Sequence, residues 1–139
     1  MQSREITILL ADDDAEDLDM LKQALLDEDP ALKIECVFNG QEVLTKLKAS
    51  TKEELPSLII LDYKMPVFGA VETLESLRNN IRYATIPKVV WSTSDRHEHR
   101  KRCIEIGAVS YFAKPIGYDA LVKAAREMLK IALSGHLPG

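Results

Sequence analysis

The segment LLADDDAEDL (9–18) runs out of an apolar stretch into three adjacent carboxylates, Asp12, Asp13 and Asp14. Like charges this close repel unless a cation, a basic side chain or solvent compensates. Three other apolar runs end on chemically capable residues: SLIIL (57–61) on Asp62, KVVW (88–91) on Ser92 and SYFA (110–113) on Lys114. Asp12, Asp13 and Asp62 are hard oxygen ligands of the kind that hold Mg²⁺, a cation that keeps several waters and shares phosphate oxygens. A carboxylate beside such a cation can attack phosphorus to form an aspartyl phosphate. A lysine and a hydroxyl can then neutralise and hydrogen-bond the transferred oxygens. In that scheme Asp62 is the nucleophile, because it follows the most apolar run.

The scheme requires these residues, far apart in the chain, to be gathered by the fold. Short β-rich apolar runs recur between stretches of helical periodicity, the pattern of βα units around a parallel sheet. The strand candidates are ITILLA (6–11), KIECVF (33–38), LIIL (58–61), KVVW (88–91) and SYFA (110–113). KIECVF partly alternates, which places it at an edge, whereas the continuous apolar runs read as central strands. Leu18, Leu21 and Leu25 mark a first helix capped by Asp14, with Glu16 and Asp17 as favourable acids in its first turn. Asn39-Gly40 precedes a second helix marked by Val43, Leu44 and Leu47. A third is predicted from about Val71 to Arg78, a fourth from about Arg96 to Ile106 with Gly107 just beyond it, and a fifth from about Tyr118 to Leu133. KASTKEELP (48–56) reads as a surface loop and SGHLPG (134–139) as a frayed tail around a core of about 5–133. In a parallel sheet the residues just past the strand ends share one edge, where ligands bind in open α/β folds.

Each residue also has an ordinary reading. Asp14 is a helix cap, Ser92 lies in the capping composition STSD, and a lysine before a proline is commonly a solvated residue at a turn. The joint occurrence at four strand ends carries the argument, not any one residue.

The bulk composition agrees with a small-ion or protein-binding module. The 139 residues fit one domain able to bury its own core, and the net charge of −4, from 18 basic and 22 acidic residues, argues against a general nucleic-acid surface. No apolar run is long enough to span a bilayer and no secretory pattern opens the chain, so a cytoplasmic location is expected. Cys36 and Cys103 are far apart and lack metal-ligand spacing, so they read as free thiols.

With these residues in place, the sequence resembles the receiver domain of two-component response regulators. The resemblance runs through ILLADDD (8–14), LIILDYKMP (58–66), VVWSTS (89–94) and GAVSYFAKPI (107–116). It implies a flavodoxin-like, doubly wound α/β fold with five parallel strands in the order 2-1-3-4-5 and five helices. It further implies that Asp62 is the phosphoacceptor, that Asp12 and Asp13 are the Mg²⁺-binding acids, and that Ser92 and Tyr111 are the switch hydroxyl and aromatic. Lys114 falls on the lysine before a cis proline, here Pro115. Mg²⁺ would be held by Asp13, Asp62 and the backbone carbonyl of Lys64, with Asp12 acting partly through water. Lys64 and Ser94 stand where the family tunes the lifetime of the phosphorylated state. The family's usual glycine eight residues after the phosphoacceptor is Ala70 here, with Gly69 before it, so the loop VFGA is expected to differ in shape.

The resemblance implies a stand-alone receiver that takes a phosphoryl group from a histidine kinase or histidine phosphotransfer protein and displays a changed surface to a downstream protein. That surface is the fourth helix, fifth strand and fifth helix, which could also pair two copies. On activation Ser92 would move toward the phosphoryl oxygens and Tyr111 would turn into the vacated space. Such a module is not an enzyme on external substrates. Two alternatives stay open: a phosphorylation-independent adaptor of the same fold, and a Mg²⁺-dependent phosphohydrolase using Asp62. The latter commonly has an acid two residues after its nucleophile, where this chain has Lys64. The run DRHEHRKR (95–102) reads as a solvated helix face with internal charge pairs.

Overall fold

A computed structural model describes residues 5–134; the tail expected to fray lies, from residue 135 on, outside the described residues. Five strands alternate with five helices: β1 Thr7–Ala11, α1 Ala15–Glu28, β2 Lys33–Val37, α2 Gly40–Ala49, β3 Leu58–Asp62, α3 Ala70–Arg78, β4 Lys88–Ser92, α4 His97–Glu105, β5 Ser110–Ala113 and α5 Tyr118–Ser134. The strands form one parallel sheet in the order β2-β1-β3-β4-β5, as expected.

Side chains alternate across each strand, so the sheet divides the core into two layers. Ile8, Leu10, Leu58, Ile60, Val89 and Trp91 face α1 and α5 and meet Leu21, Leu25, Leu121 and Met128. Leu9, Ala11, Ile59, Leu61 and Val90 face the other way and meet Val43 and Leu47 of α2, Leu74 and Leu77 of α3, and Cys103 of α4. All five residues of β3 and of β4 are buried, which accounts for their continuous apolar runs. Each residue of the edge strand β2 is partly or fully exposed. Among its nine residues α4 buries only Cys103.

Local signals explain most boundaries. Asp14 caps α1 by accepting from the N–H groups of Glu16 and Asp17, both at 3.0 Å. Asn39 caps α2 by accepting from the Glu42 N–H at 2.9 Å, and Gly107 leaves α4 at φ 118°. α3 begins one residue earlier than expected, because the Glu72 carboxylate turns back to accept the Gly69 N–H at 2.9 Å. α4 is one residue shorter at each end, since Arg96 offers no side-chain cap to its first turn. The expected 48–56 loop is partly ordered: α2 reaches Ala49, and a single 3-10 turn at Lys52–Glu54 is pinned by Thr51 N–H donating to Glu54 at 2.7 Å. One expectation is corrected. No peptide bond among the described residues is cis, so Pro115 follows Lys114 in trans, the isomer X–Pro bonds usually take.

Candidate functional site

The register places the ends of the central strands side by side. Ala11, the last residue of β1, pairs with Leu61 of β3, Asp62 pairs with Trp91 of β4, and Ser92 pairs with Ala113 of β5. Asp12 is held one step past β1 by donating its N–H to Val37 O at 3.1 Å, and Lys114 one step past β5 by donating to Ser92 O at 2.7 Å. Asp12, Asp62, Ser92 and Lys114 therefore reach the same sheet edge because the strands end in step.

Asp12 and Asp62 are buried and Asp13 is exposed, and one carboxylate oxygen from each lies within 4.8 Å of the others. Lys114 Nζ stands 2.8 Å from Asp17 Oδ2, 2.9 Å from Asp12 Oδ2 and 3.2 Å from Asp62 Oδ1, and 4.9 Å from the centre of the Trp91 ring. Asp12 Oδ1 accepts the Asp14 N–H at 2.8 Å, whereas Asp12 Oδ2 is buried with no aligned hydrogen-bond donor. A buried, incompletely satisfied carboxylate oxygen beside two further carboxylates is the donor set a hard divalent cation takes, and exposed Asp13 leaves one side open for water ligands. The three acids therefore fit a cation of the Mg²⁺ type.

Burial raises the Asp62 carboxyl to about 7, with the charge of Asp12 adding to the rise and Lys114 opposing it. Burial also raises Asp12. For Lys114 burial acts the other way, but its hydrogen bond to Asp17, its close ion pair with Asp12 and the charge of Asp62 outweigh it and hold the ammonium above the ordinary lysine range. The site thus crowds carboxylates whose charges are under-compensated by a single cation. Supplying more positive charge would favour their ionised forms.

The remaining candidates lie on the β4–α4 side. Ser92 is buried, and its Oγ accepts the Ser94 N–H at 2.9 Å, so in this structure it serves the local turn. Ser94 Oγ is 2.7 Å from His99 Nδ1, and the His99 ring stacks on Tyr63 at 4.4 Å between centroids. Tyr111 is 3% exposed and already points inward: its hydroxyl donates to Ser94 O at 2.8 Å, its ring meets Tyr63 edge-on at 6.4 Å, and Arg100 lies over it at 5.1 Å. The turn of Tyr111 into vacated space implied by the resemblance thus has no outward starting point here. Lys64 is exposed, in keeping with its ordinary reading as a solvated side chain.

The loop between β3 and α3 differs through Val67, which takes φ 68° without being glycine. Ala70 is fully buried and donates its N–H to Tyr63 O at 3.1 Å, so α3 starts directly against the site. Two participants escaped sequence reasoning. Asp17 was legible only as a first-turn acid, although it stands four residues after Asp13. His99 was hidden within a run that reads as solvated charge.

A family model for the response regulator receiver domain matches residues 8–126. An uncharacterized 14.6 kDa protein of Leptolyngbya boryana is 27% identical over 123 residues, which are 88% of this chain and 89% of that protein. The solved structure of the phosphorylated cyanobacterial phytochrome response regulator RcpA resembles this one with a TM-score of 0.84 at 22% identity, over 96% of this chain and 97% of that one. The Mn²⁺-bound form of response regulator Rcp1 does so with a TM-score of 0.81 at 23% identity, over 96% and 99% of the two chains. Further curated relatives are longer, and the chain spans from 34% to 48% of their length.

Proposed function

The chain belongs to the response regulator receiver domain family, and from that premise we propose that it accepts a phosphoryl group on Asp62 from a histidine kinase or histidine phosphotransfer protein and so alters a protein-binding surface. One observation carries the reading: Asp12, Asp13, Asp62 and Lys114 meet at one sheet edge, with one oxygen of each of the three acids close enough to share a cation. Mg²⁺ would be held by Asp12, Asp13, Asp62 and the backbone carbonyl of Lys64. When bound it supplies positive charge that favours the carboxylates' ionised forms and shields the incoming phosphoryl oxygens. That a Mn²⁺-bound form of the fold neighbour Rcp1 exists supports a divalent cation in this position.

In the reaction, an ionised Asp62 oxygen attacks the phosphorus of the donor's phosphohistidine. The P–N bond breaks, its electron pair stays on the imidazole, and the imidazole takes up a proton from solvent. Lys114 follows the charge onto the phosphoryl oxygens, and Ser92 turns its hydroxyl from the Ser94 N–H toward them. Release of that N–H loosens the β4–α4 turn. Tyr111 and His99 both hold Ser94, so the change passes to α4 and β5. The face of α4, β5 and α5 would then meet the downstream partner or a second copy. Lys64 and Ser94 would set how readily water reaches the aspartyl phosphate, Lys64 by partly covering its path. Lys64→Asn should therefore shorten the phosphorylated lifetime.

The test is intact mass after incubation with acetyl phosphate, with and without Mg²⁺, and with Asp62→Asn as control. A phosphoryl-sized gain requiring both Mg²⁺ and Asp62 is expected. No gain from either acetyl phosphate or a phosphorylated histidine phosphotransfer protein would make the chain a phosphorylation-independent adaptor. Turnover of a phosphomonoester would instead favour the hydrolase reading.

A further inference from the structure

The ammonium that the proposed reaction needs is committed elsewhere. Of the three carboxylates around Lys114 Nζ, Asp17 is nearest, at 2.8 Å, and it is the one to which the ammonium makes an aligned hydrogen bond; Asp62 is farthest, at 3.2 Å. Asp17 is also firmly placed. It is the third residue of α1, and its own N–H is fixed by the Asp14 cap. A lysine ammonium has three donors, and any phosphoryl oxygen on Asp62 must draw one of them.

We propose that Asp17 is a positioning residue that holds Lys114 toward α1 in the resting state and competes with the phosphoryl group for it. The inference deepens the phosphoacceptor reading and rests on it for the phosphoryl step. The geometry allows the release. The Asp17 side chain is 25% exposed and borders a cleft of about 380 Å³ between α1 and α5, so it can turn into solvent without leaving a buried charge unpaired. The hold has a second consequence in the resting protein. With its ammonium drawn to Asp17, Lys114 lies less fully on Asp62, which leaves that carboxylate freer for a cation. Asp17 thereby favours metal binding and restrains phosphoryl transfer, through one side chain.

The experiment compares the wild type with Asp17→Asn, Asp17→Glu and Glu16→Gln. Glu16 lies in the same turn and is exposed, so its substitution removes the same charge without touching Lys114. Two quantities are measured: Mg²⁺ affinity from Trp91 fluorescence, with no phosphoryl donor present, and the rate of mass gain across a range of acetyl phosphate concentrations at saturating Mg²⁺. Asp17→Asn should weaken Mg²⁺ binding and raise the maximal phosphorylation rate, each about three- to fivefold, the scale of one partly exposed ion pair. Asp17→Glu should restore both toward wild type, and Glu16→Gln should leave both near wild type. Equal effects from Glu16→Gln would show bulk charge alone and overturn the proposal, as would a slower maximal rate or unchanged Mg²⁺ affinity in Asp17→Asn. If no variant, wild type included, gains a phosphoryl group, the phosphoacceptor reading fails, and the Mg²⁺ titration alone decides whether Asp17 holds Lys114.

Discussion

The N–H of Gly40, the first residue of α2, donates to the carbonyl of Phe68 in the β3–α3 loop at 3.0 Å. The approach is so close that a Cβ at position 40 would sit 2.0 Å from Thr73 Oγ1, 2.7 Å from Phe68 Cβ and 2.8 Å from Phe68 O. Helix α2 thus rests directly on the loop that carries Lys64 and leads into α3. Gly40→Ala must push that loop away, and we expect it to destabilise the protein by about 2 kcal/mol, the usual scale of overpacking. Urea unfolding should show a lower midpoint with an unchanged slope; an unshifted midpoint would mean that the loop yields freely.

Val67 in the same loop carries a positive φ with a β-branched side chain that is 76% exposed. The conformation costs about 1–2 kcal/mol, and little burial offsets it. Val67→Asn should raise the unfolding midpoint, by about 1 kcal/mol in stability. Val67→Gly should gain less, because glycine also frees the unfolded chain. A loss of stability in both variants would show that Val67 makes contacts outweighing its strain.

Arg82 closes the far end of α2. Its guanidinium donates to Leu47 O at 3.1 Å, to Ser50 O and to Tyr83 Oη at 3.2 Å, adding a second donor to Leu47 O, which already accepts the Ser50 N–H, and satisfying the Ser50 carbonyl just past the helix. Arg82→Ala should cost about 1 kcal/mol in thermal unfolding, and Arg82→Lys should recover only part of it because an ammonium lacks the planar fork. Full recovery by lysine would reduce the effect to charge at a helix terminus.

The raised Asp62 carboxyl fixes a pH dependence. Its value of about 7 in the fold against 3.8 ordinarily means that the folded state holds a proton the unfolded chain has released between those values. Without Mg²⁺, stability should therefore fall as pH rises from about 4 to 7, by an amount on the order of 2–4 kcal/mol. Burial of Asp12 acts in the same direction. Asp62→Asn should flatten the profile, and millimolar Mg²⁺ should reduce the fall by favouring the ionised carboxylates. A wild-type profile in EDTA that rises over this window would contradict the assignment.

What could be read in advance was whatever depends on local pattern. β1, β3 and β4 announced themselves because burial on both faces leaves few polar positions, and the Asp14 cap because its side chain serves neighbours three residues away or fewer. The partnership of Asp17 with Lys114 spans 97 residues, and the role of an acid in a helix's first turn is already filled by the helix itself. His99 was lost for a similar reason, since charged neighbours conceal a ring that stacks on Tyr63. Lys88 opens the strand run KVVW, and its burial to 5% exposure could not be read from that pattern. Its ammonium donates to Tyr83 O at 2.7 Å because the chain between α3 and β4 folds over it.

Helix α4 buries one side chain in the core, Cys103, and is otherwise held by His99 against Tyr63 and Ser94, by Arg100 against Tyr111, and by exposed pairs such as Arg102 with Glu75 at 2.7 Å. Such pairs add little. Its backbone amides should consequently exchange with deuterated solvent well before those of α1 or α5, through a local opening far cheaper than global unfolding. Under the proposed function, a change at Ser94 would then need only enough free energy to bias that opening, far less than unfolding the domain.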